Sequence, residues 1–562
     1  MTRRTPVVIR VESHGITGDV IKRAILVSLL AVSTAALADG KPPATGKPAS
    51  AAKHPPARTE PDDLPGPQPE VAKETARVDL PAIPAFELPP VEPGLHGPRE
   101  LRIHGKPLLG TEVKVKGYVT WIYDCPGALA ASNPGIPRPR IVKAIEKDPT
   151  LCERPKFFLG DARDSPRDAS IWVVDVPRLP TKAERGKRKL TDLKGVWPDV
   201  PRLALGDYVL VTGSWALYSP HAEHNTDGLV VYKALEHLPP AAPLPAAAAA
   251  AVREPEIDVA TRPPQHKPVS DAVRNASVDQ LNACNKAIGQ RQFDAAITAC
   301  QAAVTTWAGN HLAWYAWASA HMARSEWQKA RDAVEHSVTL RPDHAMYQLY
   351  YGISLYEAER ERVRDDLARQ HNRKPEEVTV DPALLMLDAA RDALRRAARL
   401  DPDLWRAHYY LGRVYRDLED SRREAEQFAA TITTHPSYRF GYVALIELYR
   451  KWSYIDQALA VAQLGTANVA PDEAGELWFE LGMAHDAKRD DDKAIEAFTR
   501  ALAGKPDDLG SKFQRGQVYF RKGDFVNAKR DLDDVAKSSD PAVASTKPLA
   551  VQMLGQIARK PH

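Results

Sequence analysis

The chain is poor in cysteine, methionine and aromatic residues. Only 4 of its 562 residues are cysteine, 6 are methionine and 7% are aromatic. The net charge of +3 is nearly balanced, so no global excess of charge demands a polyanionic partner. The sequence also lacks a Gly-rich phosphate loop, a nucleophile elbow and a paired CxxC motif. We therefore expect a protein that is not an enzyme and binds no cofactor.

Long hydrophobic runs are missing as well. The longest apolar run, AILVSLLAVSTAALA at residues 24–38, follows two basic residues near the N-terminus. It is shorter than the roughly 20 residues that span a bilayer. Ala36 and Ala38 give the small residues that a signal peptidase reads. The pattern predicts a signal peptide over residues 1–38, cleaved after Ala38, with an uncleaved anchor as the alternative. The mature protein would then be periplasmic or secreted, without a transmembrane segment.

Proline, by contrast, is abundant, with 47 residues against a usual share of about 5%. It is concentrated in residues 39–98 and 239–270, which are rich in Pro and Ala and have few residues that could form a core. Such composition predicts disordered linkers. These linkers divide the chain into a strand-like region, 99–238, and a helical region, 271–562.

The strand-like region resembles a small barrel. In EVKVKGYVTWIY, Val113 and Val115 alternate with charged residues, and Gly117 lies where a long strand could bend around a barrel. Further strand patterns are KFFLGDA, SIWVVDVP, GDYVLVTGSWALY and GLVVYKAL. This order, with a connector before the fourth strand, resembles the OB-fold, a five-stranded Greek-key barrel. The resemblance implies an all-β domain over residues 99–238.

The helical region contains an internal repeat with a period near 34 residues. Repeats begin at Ser277, His311 and Ala345, and an insertion near 358–383 delays the frame until Trp405. The pattern resembles the tetratricopeptide repeat, a pair of antiparallel helices, and implies an all-α solenoid of about seven repeats with a C-terminal capping helix. The residues of GELWFELGMAHDAKRDDDKAIEAFTRALAGKPDD that carry this resemblance are Trp478, Leu481, Gly482, Ala494, Phe498, Ala501 and Pro506.

Tetratricopeptide repeats bind proteins or peptides in a concave groove lined by the first helix of each repeat. Here the groove positions hold arginines flanked by aromatic residues, which suits an extended peptide with an acidic segment or a free carboxylate. The alternative is an ordinary polar helix face. The Lys and Asn pattern of the chaperone-binding carboxylate clamp is not reproduced. The expected groove residues are Tyr315, Tyr356, Arg406, Tyr409, Arg413, Arg416, Phe440, Glu447, Arg450, Lys451, Phe479, Phe513 and Phe520.

A loop before the last strand, PHAEH, contains three residues of metal-binding type. They are His221, Glu223 and His224. Their spacing matches no standard zinc motif. We expect a solvated loop without a metal.

The barrel offers a second candidate function. Tyr118, Trp172 and Tyr218 could present stacking faces, and residues 182–189 are basic. Barrel aromatics mostly fill cores, however, and a basic run in a loop is usually solvated. We therefore do not expect nucleic acid as the main partner. The alternative to the array as the centre of function is a barrel that binds a ligand, either a glycan or a nucleic acid.

The four cysteines fall into two pairs. Cys125 ends the first strand and Cys152 precedes the second, while Cys284 and Cys300 face each other across the two helices of the first repeat. Exported proteins fold in an oxidising compartment. The sequence predicts two disulfides, one in each domain, with buried free thiols as the alternative.

Overall fold

The computed structural model describes residues 78–239, 256–259 and 268–558. Within these ranges it leaves out residues 133–134, 149–150, 167–168, 221–223 and 545, and several positions between 179 and 195. The predicted signal peptide, most of both predicted linkers, and His221 and Glu223 lie outside the described residues.

A closed five-stranded barrel occupies the first domain, as predicted. Its strands follow the order β1-β2-β3-β5-β4, and all neighbours are antiparallel except β3 and β5. The elements are α1 (Pro98–His104), β1 (Glu112–Ile122), α2 (Cys125–Ser132), α3 (Arg138–Lys147), β2 (Phe157–Gly160), β3 (Ile171–Val174), β4 (Tyr208–Tyr218) and β5 (His224–His237).

Buried apolar residues alternate with more exposed residues along the strands, and the buried ones form the barrel core. In β1, Val113, Val115 and Val119 are at most 2% exposed, whereas the charged residues between them face outward. At Gly117, a Cβ atom would lie 2.7 Å from Cγ of Leu159 on β2. Only glycine fits at this point without displacing the neighbouring strand.

In the described part of the chain, fifteen helices follow the barrel. They form seven antiparallel pairs and a final helix that packs on the last pair. The helices are α4 (Asp271–Gly289), α5 (Phe293–Thr306), α6 (His311–Ala323), α7 (Trp327–Leu340), α8 (Ala345–His371), α9 (Asp388–Leu400), α10 (Trp405–Asp417), α11 (Ser421–Thr434), α12 (Arg439–Lys451), α13 (Ile455–Asn468), α14 (Gly475–Ala487), α15 (Asp491–Gly504), α16 (Leu509–Lys522), α17 (Phe525–Lys537) and α18 (Lys547–Ala558).

Glycine and phenylalanine set the close approach of the two helices in a pair. A Cβ atom at Gly482 would lie 2.6 Å from the ring of Phe498, and one at Gly412 would lie 2.7 Å from the ring of Phe428. Both rings are fully buried. The same pairing of residue types therefore gives α10–α11 and α14–α15 the same packing.

The insertion lengthens one helix. Helix α8 has 27 residues and ends at His371, and the capping residue Asn372 adopts a left-handed conformation with φ of 50°. Two 3-10 turns, Pro375–Glu377 and Pro382–Leu384, then lead back to α9.

Residues 78–97 fall inside the predicted linker 39–98, but residues 78–88 pack against the array and His96 pairs with Val115 of β1. The ring of Phe86 lies 5.3 Å from that of Trp452 and 5.5 Å from that of Tyr454, measured between centroids. Val78, Leu80 and Leu88 join the same hydrophobic cluster. The high proline content of this segment led to the prediction of a linker, although the segment also contains apolar residues that pack. We name residues 78–97 the strap.

Helix α1 extends the joint between barrel and array. Leu101 packs in the barrel core, whereas Ile103 joins the array's cluster. The guanidinium of Arg99 lies 5.9 Å from the ring centroid of Tyr454, and Arg102 donates a hydrogen bond to Ser453. The strap and α1 thus fix the barrel to the loop between α12 and α13.

Part of the second predicted linker also follows the array. The guanidinium of Arg399 donates to the carbonyl of Ile257 at 2.8 Å, and Nε of Arg396 donates to the carbonyl of Asp258 at 3.3 Å. Both arginines belong to α9, so residues 256–258 lie along that helix.

Both predicted disulfides are present. The Cα atoms of Cys125 and Cys152 lie 5.5 Å apart, and those of Cys284 and Cys300 lie 5.2 Å apart. Cys284 and Cys300 are fully buried in the core of the first repeat. The first bridge instead closes an arm that projects from the end of β1.

Candidate functional site

The predicted groove residues lie on the first helices of the repeats, α6, α8, α10, α12, α14 and α16. The first helices of neighbouring repeats contact one another, from α8 to α10 and from α14 to α16. We name the surface that these helices share the A-helix face.

Arg413 stands at the centre of this face. Its guanidinium lies 4.9 Å from the ring centroid of Tyr356 and 5.1 Å from that of Tyr410. It also forms an ion pair of 2.9 Å with Glu357 on α8, and its side chain is only 12% exposed. Arg413 therefore links two repeats and is neutralised within the protein.

Tyr356 is part of the same network. It is 2% exposed, and its hydroxyl donates to Asp417 at 2.8 Å. Arg360 contacts the same carboxylate at 2.5 Å. Burial raises the pKa of Tyr356 above its ordinary value, so the hydroxyl stays a donor at neutral pH.

Arg416 continues the network towards α12. Its Nε donates to Glu424 at 2.7 Å, and its side chain also donates to the carbonyl of Ala444 and approaches Glu447 at 3.4 Å. Burial raises the pKa of Glu424 even though Arg416 opposes that shift.

Glu447 is the more accessible carboxylate of this group, with a side chain that is 44% exposed. Burial raises its pKa to about 7, Arg416 lowers it, and the nearby Glu480 and Glu476 raise it further. Glu480 itself is held by Arg450 at 2.5 Å. The A-helix face therefore alternates arginine and carboxylate across four repeats.

The other predicted residues are distributed along the array. Arg406 covers the ring of Trp405 at 4.5 Å, and Phe440 packs beneath Arg439 at 4.3 Å. Lys451 is exposed. The remaining aromatics pack within their own repeat or against the next one: Tyr315 with Tyr347 and Tyr350 of the next repeat, Tyr409 with Tyr410 and with Tyr438 at the start of the next repeat, Phe479 with Phe498, Phe513 in the last core cluster and Phe520 with Phe525.

The groove residues predicted from the sequence include the arginines of the face and one carboxylate partner, Glu447, but not the partners Glu357, Asp417, Glu424 and Glu480. Glu357 and Asp417 occupy the same repeat position as the predicted Lys451. The sequence therefore contained a sign of these ion pairs, because one groove position holds a cation in one repeat and an anion in two others. Glu424 and Glu480 lie outside the usual groove positions, and the fold alone brings them to the arginines.

The barrel carries its own aromatic row. Trp121, Phe158 and Trp172 lie opposite one another on β1, β2 and β3, with ring centroids 4.8 Å and 5.7 Å apart. Tyr118 stacks with Tyr208 at 4.6 Å on the neighbouring strands, and Tyr218 is 41% exposed.

The residues that the structure describes contain no group of three or more His, Cys, Asp or Glu arranged to hold a metal ion. Within the same residues, no helix has the length and apolar character to cross a bilayer. The two disulfides are compatible with an extracytoplasmic protein.

The helix pairs define an α-helical repeat protein, and comparison identifies the repeat. A family model described as tetratricopeptide repeat matches residues 285–345, 387–438 and 453–508. Tetratricopeptide repeat protein 37 of Xenopus laevis is 22% identical over 229 residues, which cover 40% of this chain and only 13% of that relative. The chain therefore contains tetratricopeptide repeats, which are typically protein-binding scaffolds.

Three solved structures that are similar to this chain are those of MamA, YrrB and PilF. MamA is 18% identical and matches 35% of this chain and 92% of its own, with a TM-score of 0.28. YrrB, described as a TPR protein with an unusual peptide-binding site, is 17% identical over 40% of this chain and 97% of its own, with a TM-score of 0.30. PilF of Pseudomonas aeruginosa is 14% identical over 43% of this chain and 97% of its own, with a TM-score of 0.34.

Proposed function

We propose that this protein is an exported, non-enzymatic scaffold that binds a protein or peptide segment on its A-helix face. The observation that carries the proposal is the continuous network of tyrosine, arginine and carboxylate groups across α8, α10, α12 and α14. Tyr and Arg are the residue types most enriched at the centres of protein interfaces.

The ion pairs on this face refine the expected partner. Arg413 is paired and mostly buried, so it is not available to capture a free carboxylate. The accessible pair is Arg416 and Glu447, whose side chains are 39% and 44% exposed. A partner of mixed charge, with a basic residue near Glu447 and an acidic residue near Arg416, fits this arrangement better than a purely acidic peptide.

Reversal of one accessible charge tests the proposal. A displayed library of random peptides is selected on the full chain, and the selected peptides are measured against the variants by calorimetry. We expect Glu447→Lys to weaken binding at least tenfold, because a close like-charge contact replaces an attractive one. Glu426→Lys is the matched control, since Glu426 is also 44% exposed but lies on the second helix α11. Equal affinities of both variants would place the interface elsewhere.

Export is tested separately. The signal peptide predicts a mature N-terminus at Asp39, and Edman sequencing of the protein from fractionated cells would identify it. A cytoplasmic protein that still begins at Met1 would refute export without affecting the binding proposal.

The aromatic row of the barrel supports a second candidate, a glycan ligand. Trp121 is 37% exposed, and a sugar ring can stack on such a face. Lys156 lies 5.6 Å from the ring centroid of Trp172 but is paired with Glu153 at 2.6 Å, so its charge is already matched within the protein. A Trp121→Ala variant that binds an array of bacterial glycans as well as the unchanged protein would exclude this candidate.

A further inference from the structure

Phe86 of the strap lies among three aromatic side chains of the array. Its ring stacks on Tyr449 at 6.1 Å and meets the rings of Trp452 and Tyr454 edge-on, at 5.3 Å and 5.5 Å between centroids. Tyr449 and Trp452 are at most 4% exposed, so they also belong to the core of the array. We name these three array residues the aromatic socket. The proposed function of the A-helix face uses none of them.

Apolar contacts alone hold residues 78–88 of the strap to the array. Val78, Leu80, Phe86 and Leu88 join the array's hydrophobic cluster. Among the described residues, no hydrogen bond or ion pair connects this segment to a repeat. The segment can therefore leave the array without breaking a polar contact.

The backbone of Phe86 is strained in the docked strap. Its φ of 54° lies in the left-handed region, which is unfavourable for a bulky side chain. The aromatic socket holds the ring in spite of this cost. A separate peptide, whose chain is not tied to the barrel, can present an aromatic ring to the same socket without that strain.

The other end of the strap is bound to the barrel. Glu92 pairs with Lys116 at 2.9 Å, and the amide of His96 donates to a carbonyl of β1 at 2.9 Å. Helix α1 joins the barrel to the array independently, since Ile103 packs in the array's cluster. Residues 78–88 can therefore leave the socket while the barrel stays in place and keeps the strap nearby.

The strap also indicates which chemistry the socket accepts. Its sequence LPAIPAFELPP has prolines on both sides of the phenylalanine. Proline-rich segments lose little chain entropy on binding, and grooves lined by aromatic residues bind them for this reason.

We propose that the aromatic socket is a second peptide-binding site, which exchanges the strap for a proline-flanked aromatic segment of a partner protein. The strap is then a competitor built into the chain. Because its link to the barrel holds it close to the socket, it lowers the apparent affinity for any separate peptide of the same chemistry.

Peptide binding to the full chain tests the proposal. The probe is a fluorescein-labelled peptide with the sequence of residues 78–90, followed by fluorescence anisotropy. The Phe86→Ala protein should bind it about tenfold more tightly than the unchanged protein, because the competing strap is weakened. Ile83→Ala is the matched control, since Ile83 is an apolar strap residue that is 37% exposed, and it should leave the affinity unchanged. A peptide with alanine in place of its phenylalanine should not bind.

Photo-crosslinking locates the bound peptide. With benzoylphenylalanine in place of its phenylalanine, the peptide should label the turn between α12 and α13, and Tyr454→Ala should reduce the labelling. An excess of peptide should label the same turn in the unchanged protein, so the test does not depend on how the variants fold.

Three results would overturn the proposal. Equal affinity of the Phe86→Ala and unchanged proteins would mean that the strap does not compete. Labelling of α10 or α14 instead of the α12–α13 turn would place the peptide on the A-helix face. Absence of binding to the Phe86→Ala protein would mean that the socket accepts only its own strap.

Discussion

Removal of the disulfide Cys284–Cys300 should loosen the first repeat and little else. The two cysteines are 16 residues apart in sequence. In the chain-entropy model, a loop of this length gives a stabilisation of about 3 kcal/mol. In a solenoid each repeat contacts only its neighbours, and the first repeat has one neighbour instead of two. The loss should therefore appear as local opening of α4 and α5.

Native-state hydrogen exchange measures this opening helix by helix. In the Cys284→Ala, Cys300→Ala variant, protected amides of α4 and α5 should exchange roughly a hundredfold faster, while α14 and α15 keep their rates. Alanine avoids the cost of burying serine hydroxyls at two fully buried positions. Mild reduction of the unchanged protein should reproduce the effect without a change of side chain. Unaltered protection of α4 and α5 in both experiments would refute the reasoning.

Three further predictions concern packing, pH and the joint between the domains. Gly482→Ala should lower the free energy of unfolding by about 1–2 kcal/mol in urea denaturation, because its Cβ would lie 2.6 Å from the buried ring of Phe498; stability equal to that of the unchanged protein would contradict the packing argument. The pKa of Glu447 is raised from 4.5 to about 7, so its contribution to stability is present below pH 4.5 and lost as the pH rises to 7. Glu447→Gln should therefore become more stable than the unchanged protein above pH 7, by less than about 1 kcal/mol because the side chain is 44% exposed, and the two should coincide at pH 4. Phe86→Ala should release the strap from Trp452 and speed its cleavage by a protease in limited proteolysis, whereas an unchanged cleavage rate would mean that the strap contributes nothing to the joint.

Much of the fold could be predicted from sequence, because each region repeats a simple periodic pattern. Alternation in β1 and the spacing of Gly482 and Phe498 are local features, and local features are visible in a single sequence. The strap was missed for the opposite reason. Its contacts join Phe86 to Trp452, residues far apart in the chain, and its proline-rich composition is typical of linkers.

The ion pairs of the candidate site could not be predicted from the repeat pattern. That pattern identified Arg413 and Arg416 as groove residues, but it does not show which other side chains contact them. Whether an arginine is free or paired depends on the helices packed against it: the preceding repeat brings Glu357 to Arg413, and the second helix of the same repeat brings Glu424 to Arg416. The positions could be predicted, whereas their electrostatic state required the three-dimensional arrangement.

Helix α12 belongs to two surfaces at once. Glu447 and Arg450 contribute to the A-helix face, while Tyr449, between them in sequence, stacks against Phe86 of the strap at 6.1 Å between ring centroids. Neighbouring repeats are close-packed, so a shift of α12 that improves one surface must alter the other. We therefore expect a partner bound at Glu447 to change the protection of the strap. By the same linkage, Phe86→Ala, which weakens docking of the strap, should change the affinity for that partner.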